Sequence, residues 1–281
     1  MSATAYDRDR EFEFTAKDFA FIRDLVGERT GIVLSEHKIN MVYSRLARRL
    51  RQLNMDSFQD YINMLKEGND AELVEFTNAL TTNLTSFFRE KHHFDFLAKK
   101  VIPDLLKTRT NRRIRIWSAG CSTGEEPYTL AMVLSECIPN IKTWDVKILA
   151  TDLDSNVVQK GKNGCYDAER INGITRERQK KWFHPDPSNK DNVIVNNALK
   201  ELITFKQLNL LHQWPMKGPF DFIFCRNVVI YFNKDTQKKL FDRYAGLLAP
   251  DGYLFIGHSE SLHKVSDRFH LLGNTIYSKV K

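Results

Sequence analysis

The stretch RIRIWSAGCSTGEEPY, Arg113 to Tyr128, sets a short apolar strand directly before a glycine-bearing turn and the start of a helix. Gly120 and Gly124 let the backbone bend sharply and come close to a ligand, and a helix opening near Glu125 to Pro127 points its amide groups into the same space. Pro127 suits that first turn, having no amide to lose. A second buried strand follows in VKILATDLD, Val146 to Asp154, and its Asp152 stands where doubly wound folds hold a ribose. The pair of motifs predicts a nucleotide crevice for an adenosine-containing cofactor.

The third glycine of a G-x-G-x-x-G fingerprint is missing, and two carboxylates, Glu125 and Glu126, follow the turn instead. A pyrophosphate would be repelled there. A cofactor with a positive centre, such as the sulfonium and amino group of S-adenosylmethionine, suits an acidic lip. The dipole of a first helical turn also favours acids, and for Glu125 that explanation stands level with a site role. Glu126 is the one read as part of the site.

The chain has 281 residues, 42% hydrophobic and 27% charged, which is ordinary for a globular protein of two domains. No apolar run approaches the roughly eighteen residues of a membrane span, and Met1–Phe14 is charged, unlike a secretory leader. A cytoplasmic monomer is the expectation. Cys121, Cys137, Cys165 and Cys225 show no C-x-x-C spacing and read as free thiols. A net charge of +7 points to an anionic partner, without separating nucleic acid from an acidic protein.

Apolar residues at three- and four-residue spacing predict helices over Asp18–Arg29, Lys38–Leu53, Ser57–Lys66 and Ala71–Asn83, with Asp56, Ser57, Asn69 and Asp70 as candidate caps. These give an all-α N-terminal domain over residues 1–91. Along Lys38–Leu53, Arg45, Arg48 and Arg51 form a basic ridge opposite an apolar face, and the segment contains no Asp or Glu. The ridge reads as a docking surface for an acidic helix or a phosphate backbone. From Arg112 onward strands and helices alternate, giving a mostly parallel sheet covered on both faces over residues 92–281. That alternation stops between residues 161 and 202. There Trp182–His184 and Val193–Val195 flank the turn-rich DPSNKD, predicting a small antiparallel hairpin with room for a third strand. No metal site is expected, because the adjacent His92 and His93 should diverge by about 100° on a helix.

Three further stretches join the glycine turn: TTNLTSFFR (Thr81–Arg89), FCRNVVIYF (Phe224–Phe232) and GHSE (Gly257–Glu260). In this order and spacing they resemble the chemotaxis receptor glutamate methyltransferases, the CheR family, from about Gly31 to Tyr277. The resemblance implies an α/β, Rossmann-like S-adenosylmethionine-dependent methyltransferase domain with a small antiparallel β-subdomain insert, preceded by the all-α domain. It implies methyl transfer to the γ-carboxylate of receptor glutamates, yielding glutamyl methyl esters and S-adenosylhomocysteine. It places Asn83, Thr85, Arg89, Gly120, Glu126, Asp152, Asn209, Leu210, Arg226 and Asn227 on the cofactor. From the residues alone, Asn83 and Thr85 read as helix-ending caps. Arg89 and Tyr231 resemble the family's active-site pair. A glutamate, with a pKa of roughly 4.3, is already ionised near neutrality and needs no base. Arg89 can orient such a carboxylate but cannot act as a base. The resemblance also sets the Arg45, Arg48, Arg51 ridge against acidic receptor helices and offers the insert's strand edge to a receptor C-terminal peptide.

Other readings compete with it, and a nicotinamide dehydrogenase is weakened by the missing third glycine. A nucleic-acid methyltransferase would share the cofactor fold, but amine-methylating members carry a proline pair after an Asn or Asp, which FCRNVVIYF lacks. A non-catalytic receptor adaptor would be expected to have lost Arg89, Asp152 or Tyr231, and all three are present. His258-Ser259-Glu260 comes without a G-x-S-x-G elbow, so it reads as the floor beside the fifth strand and not as hydrolase machinery.

Overall fold

The computed structural model describes residues 10–280; of the charged stretch Met1–Phe14, positions 1–9 lie outside the described residues. The chain divides into two compact units. One runs from the first described residue to Thr82 and includes Tyr231–Asn233; the other comprises Asn83–Ile230 and Lys234 onward.

The smaller unit is helical. α1 (Ala16–Thr30) opens on a reciprocal cap in which Thr15 and Asp18 each accept the other's backbone N–H. α2 (Ile39–Leu53), α3 (Phe58–Lys66) and α4 (Asp70–Leu80) follow, the last two capped by Ser57 and Asn69. Their apolar faces meet in a core that includes Ile22, Val26, Leu46, Leu50, Phe58 and Phe76. Within it the Glu72 carboxylate, 4% exposed, accepts from Tyr61 and from Arg49, so a buried charge ties three helices together. α4 stops at Leu80, short of the predicted Asn83. Thr81 turns extended and its hydroxyl donates back to the Asn78 carbonyl, so Asn83 and Thr85 are not caps of that helix.

The larger unit opens with a helical run that the sequence does not announce: α5 (Lys91–Phe96), a wide turn over Leu97–Val101, and α6 (Ile102–Thr108). Pro103 obscured it. The wide turn and the fresh start at Ile102 put the proline at the head of α6, where its missing amide costs little. Then come β1 (Arg113–Ala119), α7 (Glu125–Cys137), β2 (Asp145–Asp152) and α8 (Ser155–Asn163). The insert supplies β3 (Cys165–Asp167), α9 (Arg176–Trp182), β4 (Phe183–Asp186), β5 (Asn189–Val195) and α10 (Asn197–Lys200). The chain returns through β6 (Ile203–Gln207), β7 (Phe220–Cys225), α11 (Lys234–Leu247), β8 (Leu248–Ile256), β9 (Phe269–Gly273) and β10 (Ile276–Lys279).

Seven strands form one mixed sheet in the order β6-β2-β1-β7-β8-β10-β9, and β3-β5-β4 form a small antiparallel sheet. The pairs among β6, β2, β1, β7 and β8 are parallel, whereas β10 runs antiparallel to both β8 and β9. β1 has β2 on one side and β7 on the other, which makes its carboxyl end the point where strand order reverses. The turn after β1 therefore sits where ligands collect in such sheets. β9 was not foreseen, since on this edge strand Leu271 and Leu272 both lie exposed and give no alternation to read. No helix among the described residues is long and apolar enough to cross a membrane.

Candidate functional site

The turn after β1 is closed by the protein's own backbone. The amides of Gly120 and Cys121 both donate to the Thr151 carbonyl at 2.7 and 2.9 Å. Gly120 has φ +94°, and a Cβ there would come within 2.3 Å of Val228 Cγ2 from the loop after β7. Gly124, at φ +98°, would set a Cβ 2.9 Å from both Gly161 and the Tyr166 hydroxyl. Both positions need glycine for backbone shape and for lack of room.

Asp152 ends β2 and stands beside this turn. One carboxylate oxygen accepts the Ser122 N–H at 2.8 Å and the other the Asp154 N–H at 3.1 Å. Two backbone bonds leave acceptor capacity on each oxygen for hydroxyl groups. Burial pushes the Asp152 pKa up to about 6, with those N–H donors pulling the other way.

The two glutamates after the turn separate cleanly. Glu125 is fully buried and is satisfied by the Thr123 hydroxyl at 2.6 Å and by Arg170. It holds the turn and the insert together. Glu126 is gripped by the Ser118 hydroxyl at 2.7 Å and by Arg226 at 3.2 Å, and burial raises its pKa while Arg226 opposes the rise. Glu125 is taken up by Arg170, and of the two acids only Glu126 keeps some side-chain exposure at the carboxyl edge of the sheet.

Arg226, at the end of β7, is 2% exposed at its side chain and donates to the Arg89 carbonyl at 2.5 Å as well as to Glu126. Its guanidinium thus acts on two neighbouring groups from behind. Asn227 takes a left-handed conformation, φ 59°, at the head of a turn gathered by Glu260. That carboxylate accepts the backbone N–H groups of Asn227, Val228, Val229, Ile230 and Gly257. Burial raises the Glu260 pKa against the pull of these donors. GHSE follows β8, and its Glu260 gathers the loop after β7.

Asn83 donates to Asp154 at 2.7 Å, while its carbonyl accepts from the Ser122 hydroxyl at 2.8 Å. The Thr85 carbonyl accepts from Arg170, and Arg89 donates to the Leu84 carbonyl from within the turn Phe87–Glu90. Asn209 and Leu210 follow β6, whose end is tied to Asp152 by a Leu208 N–H bond of 2.8 Å to the Asp152 carbonyl. Leu210 is buried and its carbonyl is taken by Arg243 and Trp214. Asn83 and Asp152 are linked through Ser122, Glu126 and Arg226 pair directly, and Gly120 and Asn227 are held by the Thr151 carbonyl and by Glu260. Tyr231 is grouped with the helical unit, where its carbonyl accepts the Val33 N–H at 2.9 Å.

The basic ridge is less available than its sequence suggested. Arg45 donates to the Leu80 and Thr81 carbonyls at 2.9 and 2.6 Å, closing the end of α4. Arg51 pairs with Glu11 at 2.7 Å. The missing acids of α2 come from other segments. Arg48 alone of the three is exposed with no ion pair among the described residues. Elsewhere a recess on the insert is lined by Lys180, Lys181, Phe183, His184, Asn196 and Asn197.

Sequence reasoning missed Ser118, Ser122, Asp154 and Arg170. Asp154 had a readable signal, because an aspartate immediately before Ser155-Asn156 is a helix-cap pattern, and its carboxylate does accept the Asn156 N–H. His92 and His93 do not diverge as expected. Their rings approach with centroids 4.2 Å apart.

A family model described as the CheR methyltransferase all-alpha domain matches residues 17–81, and one described as the CheR methyltransferase SAM binding domain matches residues 83–278. The chain is 42% identical over 275 residues to chemotaxis protein methyltransferase 2 of Pseudomonas aeruginosa, covering 96% of this chain and 95% of that one. It is 42% identical over 267 residues to the chemotaxis protein methyltransferase of Escherichia coli, covering 94% and 91%. A probable chemotaxis protein methyltransferase of Rhizobium etli is 42% identical over 251 residues, covering 88% and 94%. The residues around β1, β2 and β7 suit a cofactor that is cationic at one end and carries ribose hydroxyls at the other.

Proposed function

We propose, from the premise that this chain belongs to the CheR methyltransferase family, that it methylates the γ-carboxylate of glutamate residues in chemotaxis receptors. The observation that carries the reading is the pair Glu126 and Asp152 at the strand edge where the sheet reverses order, in a unit matching a SAM binding domain. S-adenosylmethionine, when bound, supplies a methyl group on a sulfonium; passing it to a carboxylate oxygen leaves a methyl ester and S-adenosylhomocysteine, with no proton to move.

Asp152 is the acceptor for the ribose hydroxyls, and Glu126 offers negative charge to the cationic end. Arg226 holds the Glu126 carboxylate and the Arg89 carbonyl in fixed positions. Asn83, Thr85 and Arg89 cover the cofactor, with Asn209 and Leu210 beside its adenine. Arg89 orients the incoming glutamate by charge. The substrate is already ionised near neutrality, so the site has no need of a base. Opposite charges combine in the reaction, so a water-poor site favours it.

Arg48 meets the acidic receptor surface, and the lysine-bearing recess with the β4 edge takes a receptor peptide. Incubation with methyl-labelled S-adenosylmethionine and receptor-containing membranes, followed by mild alkali, tests the reading. Volatile, alkali-released label is the expected result. Alkali-stable label on nucleic acid would overturn it.

A further inference from the structure

Two buried acceptors face one another at the start of α5. The His93 ring is fully buried, and its Nε2 lies 2.9 Å from the Asn274 carbonyl. A carbonyl only accepts, so Nε2 carries the proton and Nδ1 presents a lone pair. That nitrogen lies 3.5 Å from Glu90 Oε2. Neither Nδ1 nor Oε2 has a hydrogen-bond partner in the protein. No donor lies between these two acceptors, and the Arg226 guanidinium, 3.5 Å from Oε2, makes no hydrogen bond to it, which leaves room for a cation to join them.

A third donor is at hand. His92 is exposed, and one ring nitrogen of His92, one of His93 and a carboxylate oxygen of Glu90 all lie within 4.8 Å of one another. We propose that Glu90, His92 and His93 form a binding site for a divalent transition metal of the Zn2+ class, which favours imidazole and carboxylate ligands.

Several features support that chemistry. Ligating histidines characteristically donate their second ring N–H to a backbone carbonyl or a carboxylate, as His93 does to Asn274. Glu90 is steadied through its other oxygen, which accepts from His258 Nδ1 at 2.9 Å. Ligands of a tetrahedral zinc stand about 3.4 Å apart, given bonds near 2.0–2.1 Å. The three donor atoms lie within 4.8 Å of one another, and the exposed His92 is the ligand that must turn inward to reach that spacing. Arg226 lies 3.5 Å from the same Glu90 oxygen and competes with the metal, placing the site among weaker, exchangeable ones. Glu90 directly follows Arg89, so an occupied site fixes the peptide that carries the substrate-orienting arginine. The metal reading itself does not depend on methyl transfer.

The test is Co2+ titration of the tag-free, chelator-stripped full chain, read by the visible bands of nitrogen-ligated cobalt, with Zn2+ competition. The wild type should bind one equivalent, Zn2+ should displace it, and Zn2+ should raise the melting temperature. His92→Ala, at an exposed position, should melt normally without metal, bind Co2+ at least about tenfold more weakly, and lose the Zn2+-induced shift. Glu90→Gln should likewise weaken cobalt binding. Absence of cobalt bands in the wild type, equal affinity in His92→Ala, or displacement by Mg2+ as readily as by Zn2+ would overturn the proposal.

Discussion

The arginines of α2 and the arginine at the end of β7 make opposite use of the same side chain. In α2, Arg45, Arg48 and Arg51 share a helix face that looks like a free basic surface, yet Arg45 closes the end of α4 and Arg51 meets Glu11. Arg226 attracted notice only through its motif, yet it is buried and holds Glu126 and the Arg89 carbonyl together. A charge run shows where cations sit along one helix. It does not show which segments bring acids or carbonyls to meet them.

The largest expected effect lies at the β7 end. Glu260→Ala strips five backbone N–H groups of their shared acceptor, and even one left buried and unsatisfied costs about 1–3 kcal/mol. A loss of about 3 kcal/mol or more in denaturant unfolding is expected, together with loss of methyl transfer. A variant as stable as wild type would show that this loop is not gathered by Glu260.

Next comes the pH dependence of the Asp152 site. Its pKa of about 6 means that protonation below that value replaces a ribose acceptor with a donor. Affinity for S-adenosylhomocysteine should fall as pH drops through 6 in wild type, and the Asp152-dependent part of that fall should vanish in Asp152→Asn. For stability the sign is reversed. A raised carboxyl pKa favours the folded chain below about pH 4, and the contribution is lost as pH rises through 6. Comparing wild-type and Asp152→Asn melts across that window checks it.

Smaller effects are expected on α2, and they sharpen the contrast. Arg45→Ala should cost about 1–2 kcal/mol of stability, because its bonds to the Leu80 and Thr81 carbonyls are lost. Arg48→Glu should leave stability and S-adenosylhomocysteine affinity unchanged while lowering receptor methylation several-fold. If Arg48→Glu methylates receptors normally, the ridge has no docking role.

What the sequence revealed divides along physical lines. Strand β1, the glycine turn and Asp152 are legible because a buried parallel strand, two positive-φ glycines and a strand-end acid all leave local marks. The helical run Lys91–Thr108 is hidden because Pro103 normally ends a helix, and only the wide turn before it removes the conflict. The distinction between Glu125 and Glu126 rests on Arg170 and Arg226, which come from an insert and a distant strand. Likewise the 100° separation of neighbouring helical residues gives no sign that the His92 and His93 rings lie with centroids 4.2 Å apart.

Calorimetric titration of S-adenosylhomocysteine into the purified chain near neutral pH tests the central claim most directly. The account predicts saturable binding at one site per chain, weakened about ten- to a hundredfold in Asp152→Asn by loss of a charge-assisted acceptor. No binding to the wild type, or equal affinity in the variant, would contradict it.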